Sequence, residues 1–184
     1  SPFFIQKILG KKSLNNINKG NPIFKSDYIK SIKPKKNYIF NRKWAIPVRY
    51  HDINAMLKVT NPDIVEFHMS YDDLNIKPEK YLKNKYKCEF LVHAPELFDN
   101  DHLLDLCTDD INYRKKSILN LQRVIDTTLE LKKYFTNFDR PRIIVNCGGF
   151  SKDKFLPIEQ RQRLYNNLLT SFSELNIDKI EIIP

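Results

Sequence analysis

Glycine is scarce in this chain, with four among 184 residues. That scarcity excludes a glycine-rich phosphate loop and a dinucleotide-binding fingerprint, both of which need several glycines at fixed spacing. The one adjacent pair, Gly148-Gly149, suits a tight turn and a close approach of backbone to a ligand. Cysteine is sparse too. Cys88, Cys107 and Cys147 are odd in number and widely spaced, so they make neither a disulfide framework nor a zinc knuckle, and a reducing, cytoplasmic compartment fits them best. No apolar run approaches the roughly 20 residues of a membrane-spanning helix. The opening Ser1-Pro2-Phe3-Phe4-Ile5-Gln6-Lys7 is too short an apolar stretch for a signal peptide and lacks a cleavage pattern. Internal repeats and low-complexity tracts are absent as well.

Acidic residues are nearly missing from one region. Residues 1–43 hold eleven Lys and Arg against one acid, Asp27, whereas the other 141 residues hold 20 bases and 21 acids. The net charge of +9 is therefore a local N-terminal excess. Lys/Asn/Ile-rich sequence of this kind arises from AT-rich coding, and the near-neutral remainder argues against a nucleic-acid-binding surface.

What is present divides at about residue 40. Before it, Gly10, the Lys19-Gly20 turn, Asn21-Pro22-Ile23-Phe24 and Ser26-Asp27-Tyr28-Ile29 predict short strands broken by turns, with Pro34–Asn37 as a linker. From Trp44 onward, short apolar, β-branched runs alternate with helical stretches. The runs are 45–48, 64–67, 90–92, 143–145 and 180–183, each short enough for a buried parallel strand. The clearest helix spans 109–134. Thr108-Asp109-Asp110 caps it, and Ile118, Leu121, Ile125 and Leu129 fall at helical spacing. Pro157 opens another helix as its first residue, with Leu164, Leu168 and Phe172 on one face. Strand-helix alternation predicts a parallel sheet with right-handed crossovers. Five strands make an open sheet or the first five of an eight-stranded barrel.

The strand ends carry the chemistry. They read Arg49-Tyr50-His51-Asp52, then Glu66-Phe67-His68, then His93-Ala94-Pro95-Glu96, then Asn146-Cys147-Gly148-Gly149, and last Glu181 between isoleucines. Polar groups gathered at the C-terminal ends of parallel strands are the layout of a barrel-mouth site. His93 and Glu181 are the candidate catalytic and metal-ligating pair, for a divalent ion holding a sugar or phosphate oxygen. Arg49, Glu66, His68, Glu96 and Asn146 are the candidate substrate contacts. Other readings stand beside these. His93 also suits a core histidine bonded to backbone. Arg49 suits a phosphate or carboxylate, or an ion pair with Glu66. Glu66 and His68 alternate with apolar residues and so share a face. Asn146 suits a sugar hydroxyl better than a metal. Asp99, Asp101, His102 and Asp105 read as a solvated loop, because calcium-loop spacing and its glycine are missing.

His93-Ala94-Pro95, Leu104-Asp105-Leu106, Asp110 and Tyr113-Arg114-Lys115-Lys116-Ser117-Ile118 with Leu121 together resemble the third-strand block of the endonuclease IV and xylose-isomerase-like barrel superfamily. The string from Val65 to Leu74 is similar, more narrowly, to the sugar phosphate isomerase/epimerase-like module of some bacterial sialic acid synthase-related proteins. Leu14–Ile23 with Ser26-Asp27 resembles the antifreeze-like (SAF) domain that precedes that module. The resemblance covers about residues 44–184 for the barrel part and 1–33 for the smaller one. It implies an α/β chain with residues 1–40 as a small, mostly-β antifreeze-like domain and linker, and 41–184 as the N-terminal part of a parallel (β/α) barrel.

By position, the resemblance makes His93 the first metal-site histidine and Glu181 the strand-five glutamate. Asn146 departs from it, since endonuclease IV relatives carry a second histidine there, and this weakens a trinuclear zinc site. The implied activity is sugar or sugar-phosphate isomerisation or epimerisation in surface-carbohydrate (nonulosonate) biosynthesis, through metal-assisted proton transfer with manganese or zinc. Two other classes remain as alternatives, a non-catalytic carbohydrate-binding or scaffolding module and a metal-dependent DNA-repair nuclease. Expected partners are the sugar or sugar phosphate, the remainder of its own polypeptide and a further copy of the chain; no membrane partner is expected. Glu181 lies three residues from the last one given. The remaining ligands of the superfamily would fall beyond Pro184, so the chain by itself is expected to be inactive and to bind metal weakly.

Overall fold

The computed structural model describes residues 2–28, 39–136, 139–151 and 154–184, with only the backbone described for 2–4. The chain divides into two units, Ser1–Lys36 and Asn37–Pro184. The linker expected at 34–37 lies outside the described residues.

The expectation of a mostly-β first unit is corrected by the structure. Its described residues hold a helix, α1 (Pro2–Ile8), and one 3-10 turn at Lys25–Asp27, and no strand. The turn is fixed by Asp27, whose carboxylate accepts the Phe24 N–H at 2.8 Å and whose carbonyl accepts the Leu14 N–H at 2.6 Å. None of the side chains from Ile5 to Tyr28 is buried. Apolar residues here come in short clusters, Phe3-Phe4-Ile5, Ile8-Leu9 and Ile23-Phe24, separated by lysines and turn formers, so no alternating run long enough for a strand pair is present.

The second unit is mixed α/β around a five-stranded parallel sheet. Its strands are β1 (Ala45–Val48), β2 (Ile64–His68), β3 (Glu89–His93), β6 (Arg142–Ile144) and β7 (Glu181–Ile183), paired in that order. A short antiparallel pair, β4 (Leu97–Phe98) with β5 (His102–Leu103), interrupts the connection after β3. The helices are α2 (Ile53–Val59), α3 (Ile111–Leu131) and α4 (Ile158–Ser173). Among the described residues the sheet is open and no closed barrel is formed. The described helices include none long and apolar enough to cross a membrane.

One side of the sheet carries the core. Val48, Val65, Phe67, Phe90, Val92, Ile143 and Ile180 are at most 2% exposed and pack with Ile118, Leu121, Val124, Ile125 and Leu131 of α3. Each such side chain contributes roughly 1.5–3 kcal/mol by leaving water. Phe90 stacks on Phe135 at 4.4 Å between ring centroids, and Phe67 meets both edge-on. Asp110 caps α3 as expected, accepting the N–H groups of Asn112 and Tyr113 at 3.0 Å. Pro157 sits one residue before α4 and is its N-cap.

Two polar anchors hold the loops above the sheet. Asp105 Oδ1 accepts three backbone N–H groups, from Cys107, Thr108 and Gly149, at 2.8–3.1 Å. The close approach allowed by the glycine pair is therefore to Asp105. A Cβ on Gly148 (φ +88°) would lie 2.6 Å from the Asp105 Cα, whereas one on Gly149 (φ +77°) would make ordinary contacts with Cys107 at 3.6 Å and Leu164 at 4.0 Å. Below this anchor, His102 is buried. Its Nε2 lies 2.9 Å from the Ser117 hydroxyl, which also accepts the Asp105 N–H at 3.1 Å. The reading of 99–105 as a solvated loop holds for Asp99 and Asp101 but not for His102.

Gly149→Ala is expected to cost about 1–2 kcal/mol, the left-handed backbone penalty alone. Gly148→Ala is expected to cost clearly more, because backbone must move as well; urea denaturation of the two variants checks the order. Burial, and secondarily Lys116, hold the His102 pKa below 6.5. The unfolded chain therefore takes up that proton first. This stabilisation is complete above about pH 6.5 and falls as pH drops below it. Denaturation at pH 7.5 and 5.5 should show a smaller loss for His102→Gln than for the parent.

Candidate metal centre

Alternation along a strand decides what faces away from the core. With Phe67 and Val65 inward, Glu66 and His68 project from the opposite side. The register places His68 opposite His93, and Glu66 opposite Leu91, so His93 joins them on that side at the C-terminal ends of β2 and β3. The three groups meet. Glu66 Oε1 lies 2.7 Å from His68 Nε2 and 3.2 Å from His93 Nδ1, and the two imidazole nitrogens are 3.1 Å apart. The Glu66 side chain is 21% exposed, His93 31% and His68 47%, so the carboxylate is the most enclosed and the site opens toward solvent at His68.

These three can hold a metal ion: their ligand atoms all lie within 4.8 Å of one another. The donor chemistry fits. A neutral imidazole has one N–H, so if both rings donate to the shared oxygen, two donors face each other across 3.1 Å. A cation accepts a lone pair from all three atoms at once. Two imidazole nitrogens and one carboxylate oxygen suit zinc, manganese or iron(II) and leave coordination positions open for an oxygen ligand.

The other sequence candidates lie apart from this triangle. Glu181 projects from the same side, but it is the first residue of β7, in the row Glu66–Leu91–Arg142–Glu181. It sits three strands from Glu66 and its Oε2 pairs with Arg142 Nε at 3.2 Å. The structure thus does not bring Glu181 to His93. Arg49 pairs with Asp73 rather than Glu66, Nη1 to Oδ2 at 3.0 Å. The same Asp73 oxygen accepts the Ser70 N–H and hydroxyl, closing the turn after β2. Glu96 is exposed, and its carbonyl accepts the Leu104 N–H. Asn146 is exposed and spends its Oδ1 on the Gly148 N–H at 3.2 Å. Sequence reasoning assigns Asp73 no role of its own and reads Asp105 as part of a solvated loop, not as an anchor of backbone N–H groups. Asp73 follows Ser70 at capping-box spacing, a signal that was there to read; Asp105 had none.

No family model, curated protein or solved structure matches the chain.

Titration with Mn²⁺ or Zn²⁺ followed by calorimetry tests the ligand set. Glu66→Gln, His68→Ala and His93→Ala are each expected to weaken binding at least about tenfold, as loss of one of three protein ligands implies. Glu181→Gln is expected to leave affinity unchanged.

Proposed function

We propose that this chain carries the metal-binding part of a sugar or sugar-phosphate isomerase/epimerase-like module, of the kind joined to sialic acid synthase-related proteins. The observation that supports the reading is the convergence of Glu66, His68 and His93 on one side of the sheet, at the C-terminal ends of neighbouring parallel strands. Ligands in parallel α/β sheets characteristically sit at that end. A divalent ion bound there would supply Lewis-acid polarisation of a substrate carbonyl oxygen, which acidifies the adjacent C–H.

The chain's own groups then have distinct tasks. Glu66, the most enclosed, fixes the two imidazoles and keeps negative charge beside the ion. His93 and His68 would hold it from adjacent strands. His68, nearly half exposed, leaves the approach open to substrate. Glu96, exposed three residues after His93, is a substrate contact in this reading. Arg49, held by Asp73, is the cation at the end of β1 suited to a substrate phosphate.

The test uses Mn²⁺ as both ligand and probe. In the loaded chain, paramagnetic relaxation of a sugar phosphate should be strongest at the protons beside its carbonyl, those of C1 and C2 in an aldose and of C1 and C3 in a ketose, and disappear in His68→Ala and His93→Ala. A panel of such sugars showing no site-dependent relaxation, with Mn²⁺ bound, would sink the sugar reading while leaving the metal site intact.

A further inference from the structure

A second concave site lies on the core side of the sheet, away from the histidines. It is a hollow of about 330 Å³ between the backbone following β6 and the first turns of α4, at the small end of ligand-cavity sizes, about 300–1,000 Å³. Cys147 and Leu168 on its wall pack against the hydrophobic core, whereas Glu66, His68 and His93 project from the other side of the sheet. The two sites are therefore independent.

Its chemistry is one-sided. Cys107, Cys147, Leu164 and Leu168 form an apolar wall. Burial pushes both thiols up, Cys107 to about 11, so they are neutral near pH 7 and act as small hydrophobes. Aromatic surface stands at the rim: Phe155 is 97% and Tyr165 58% exposed. Such apolar groups gathered around a concavity mark a binding surface rather than scattered exposure. A sugar fits poorly, since a polyol would lose water and find only Ser151, the Tyr165 hydroxyl and Arg161 in return.

Arg161 supplies the remaining chemistry. Of the two arginines on the first turns of α4, Arg163 pairs with Asp109 at 2.7 Å. Arg161 lines the hollow and makes no ion pair among the described residues. A guanidinium presents paired N–H groups that match a carboxylate. We propose that this hollow binds a small carboxylate with an aromatic or branched apolar body, the body against the thiols and leucines and the carboxylate on Arg161.

The cysteines give a direct readout on the full chain. The probe is phenylacetate, with phenylacetamide as its uncharged counterpart, and the measurement is the iodoacetamide alkylation rate of each cysteine at pH 8.5, resolved by peptide mass spectrometry. Phenylacetate should slow Cys147 in a saturable way and leave Cys88, which is not part of the hollow, unchanged. Phenylacetamide should protect about tenfold more weakly, as loss of one charge-assisted contact implies. Arg161→Met should bring the acid down to the level of the amide; that side chain is exposed, so the variant keeps its fold. Leu164→Trp, which fills the hollow, should remove protection by both. Unchanged Cys147 rates, equal protection by acid and amide, or an Arg161→Met variant that behaves like the parent would each overturn the proposal.

Discussion

Strand parity in β2 is the constraint on which the rest depends. Val65 and Phe67 are fully buried, and their burial fixes which way Glu66 and His68 point. A one-residue slip of β2 would drive a carboxylate and an imidazole into the core and expose Phe67. The same condition in β3, set by Phe90 and Val92, places His93 across from His68. The triangle of ligand atoms is thus specified by the hydrophobic core behind it. No loop has to be arranged to form it, which suits a site whose donors must stay within a fraction of an ångström of one geometry.

Sequential strand order has a consequence for where the site can be. Right-handed crossovers between successive neighbours place every connecting helix on the same side of the sheet. The core accordingly gathers α3 and α4 behind Val65, Phe67, Phe90, Val92 and Ile143. On the other side Leu91, Ile144 and Ile183 remain outside that core, together with the polar groups. Parallel sheets are usually covered on both faces and read as continuous apolar runs. Here β2 reads Ile-Val-Glu-Phe-His instead, the alternation of a sheet with one dry and one functional side.

That alternation explains what could be read in advance. All five strands and their order were legible, because each is a short β-branched run bounded by turn residues. The helix at Ile111–Leu131 was legible from its Asp110 cap and four-residue apolar spacing. Glu66 and His68 could be placed on a common face, but their meeting with His93 depends on inter-strand register, which no single strand contains. Glu181 misled for the same reason. Its isoleucine neighbours mark a strand, but its position at the start of β7 appears only once β7 is aligned with β6. The first unit misled differently, since turn residues announce breaks without saying whether strands lie between them. His102 reads, with the acidic residues around it, as part of a solvated loop, whereas its hydrogen-bond partner, the Ser117 hydroxyl, comes from a helix fifteen residues on.

Charge pairing on the polar side gives the metal reading its physical basis. Four ionisable groups share the rows around Leu91: Glu66, Arg142, Glu181 and, one row toward the N-terminal end, Glu89. Arg142 is engaged with Glu181, and Lys43 with Glu89. Glu66 is about four-fifths enclosed, and its ion-pair partners are His68 and His93. An enclosed carboxylate needs compensating positive charge. Neutral imidazoles supply hydrogen bonds but no charge, and two of them cannot both donate to one oxygen without facing each other N–H to N–H across 3.1 Å. A cation at the centre meets both demands at once, since it neutralises the carboxylate and turns the opposed nitrogens into ligands. Two nitrogens and an oxygen, open toward solvent at His68, thus form a donor set that could hold a divalent metal ion.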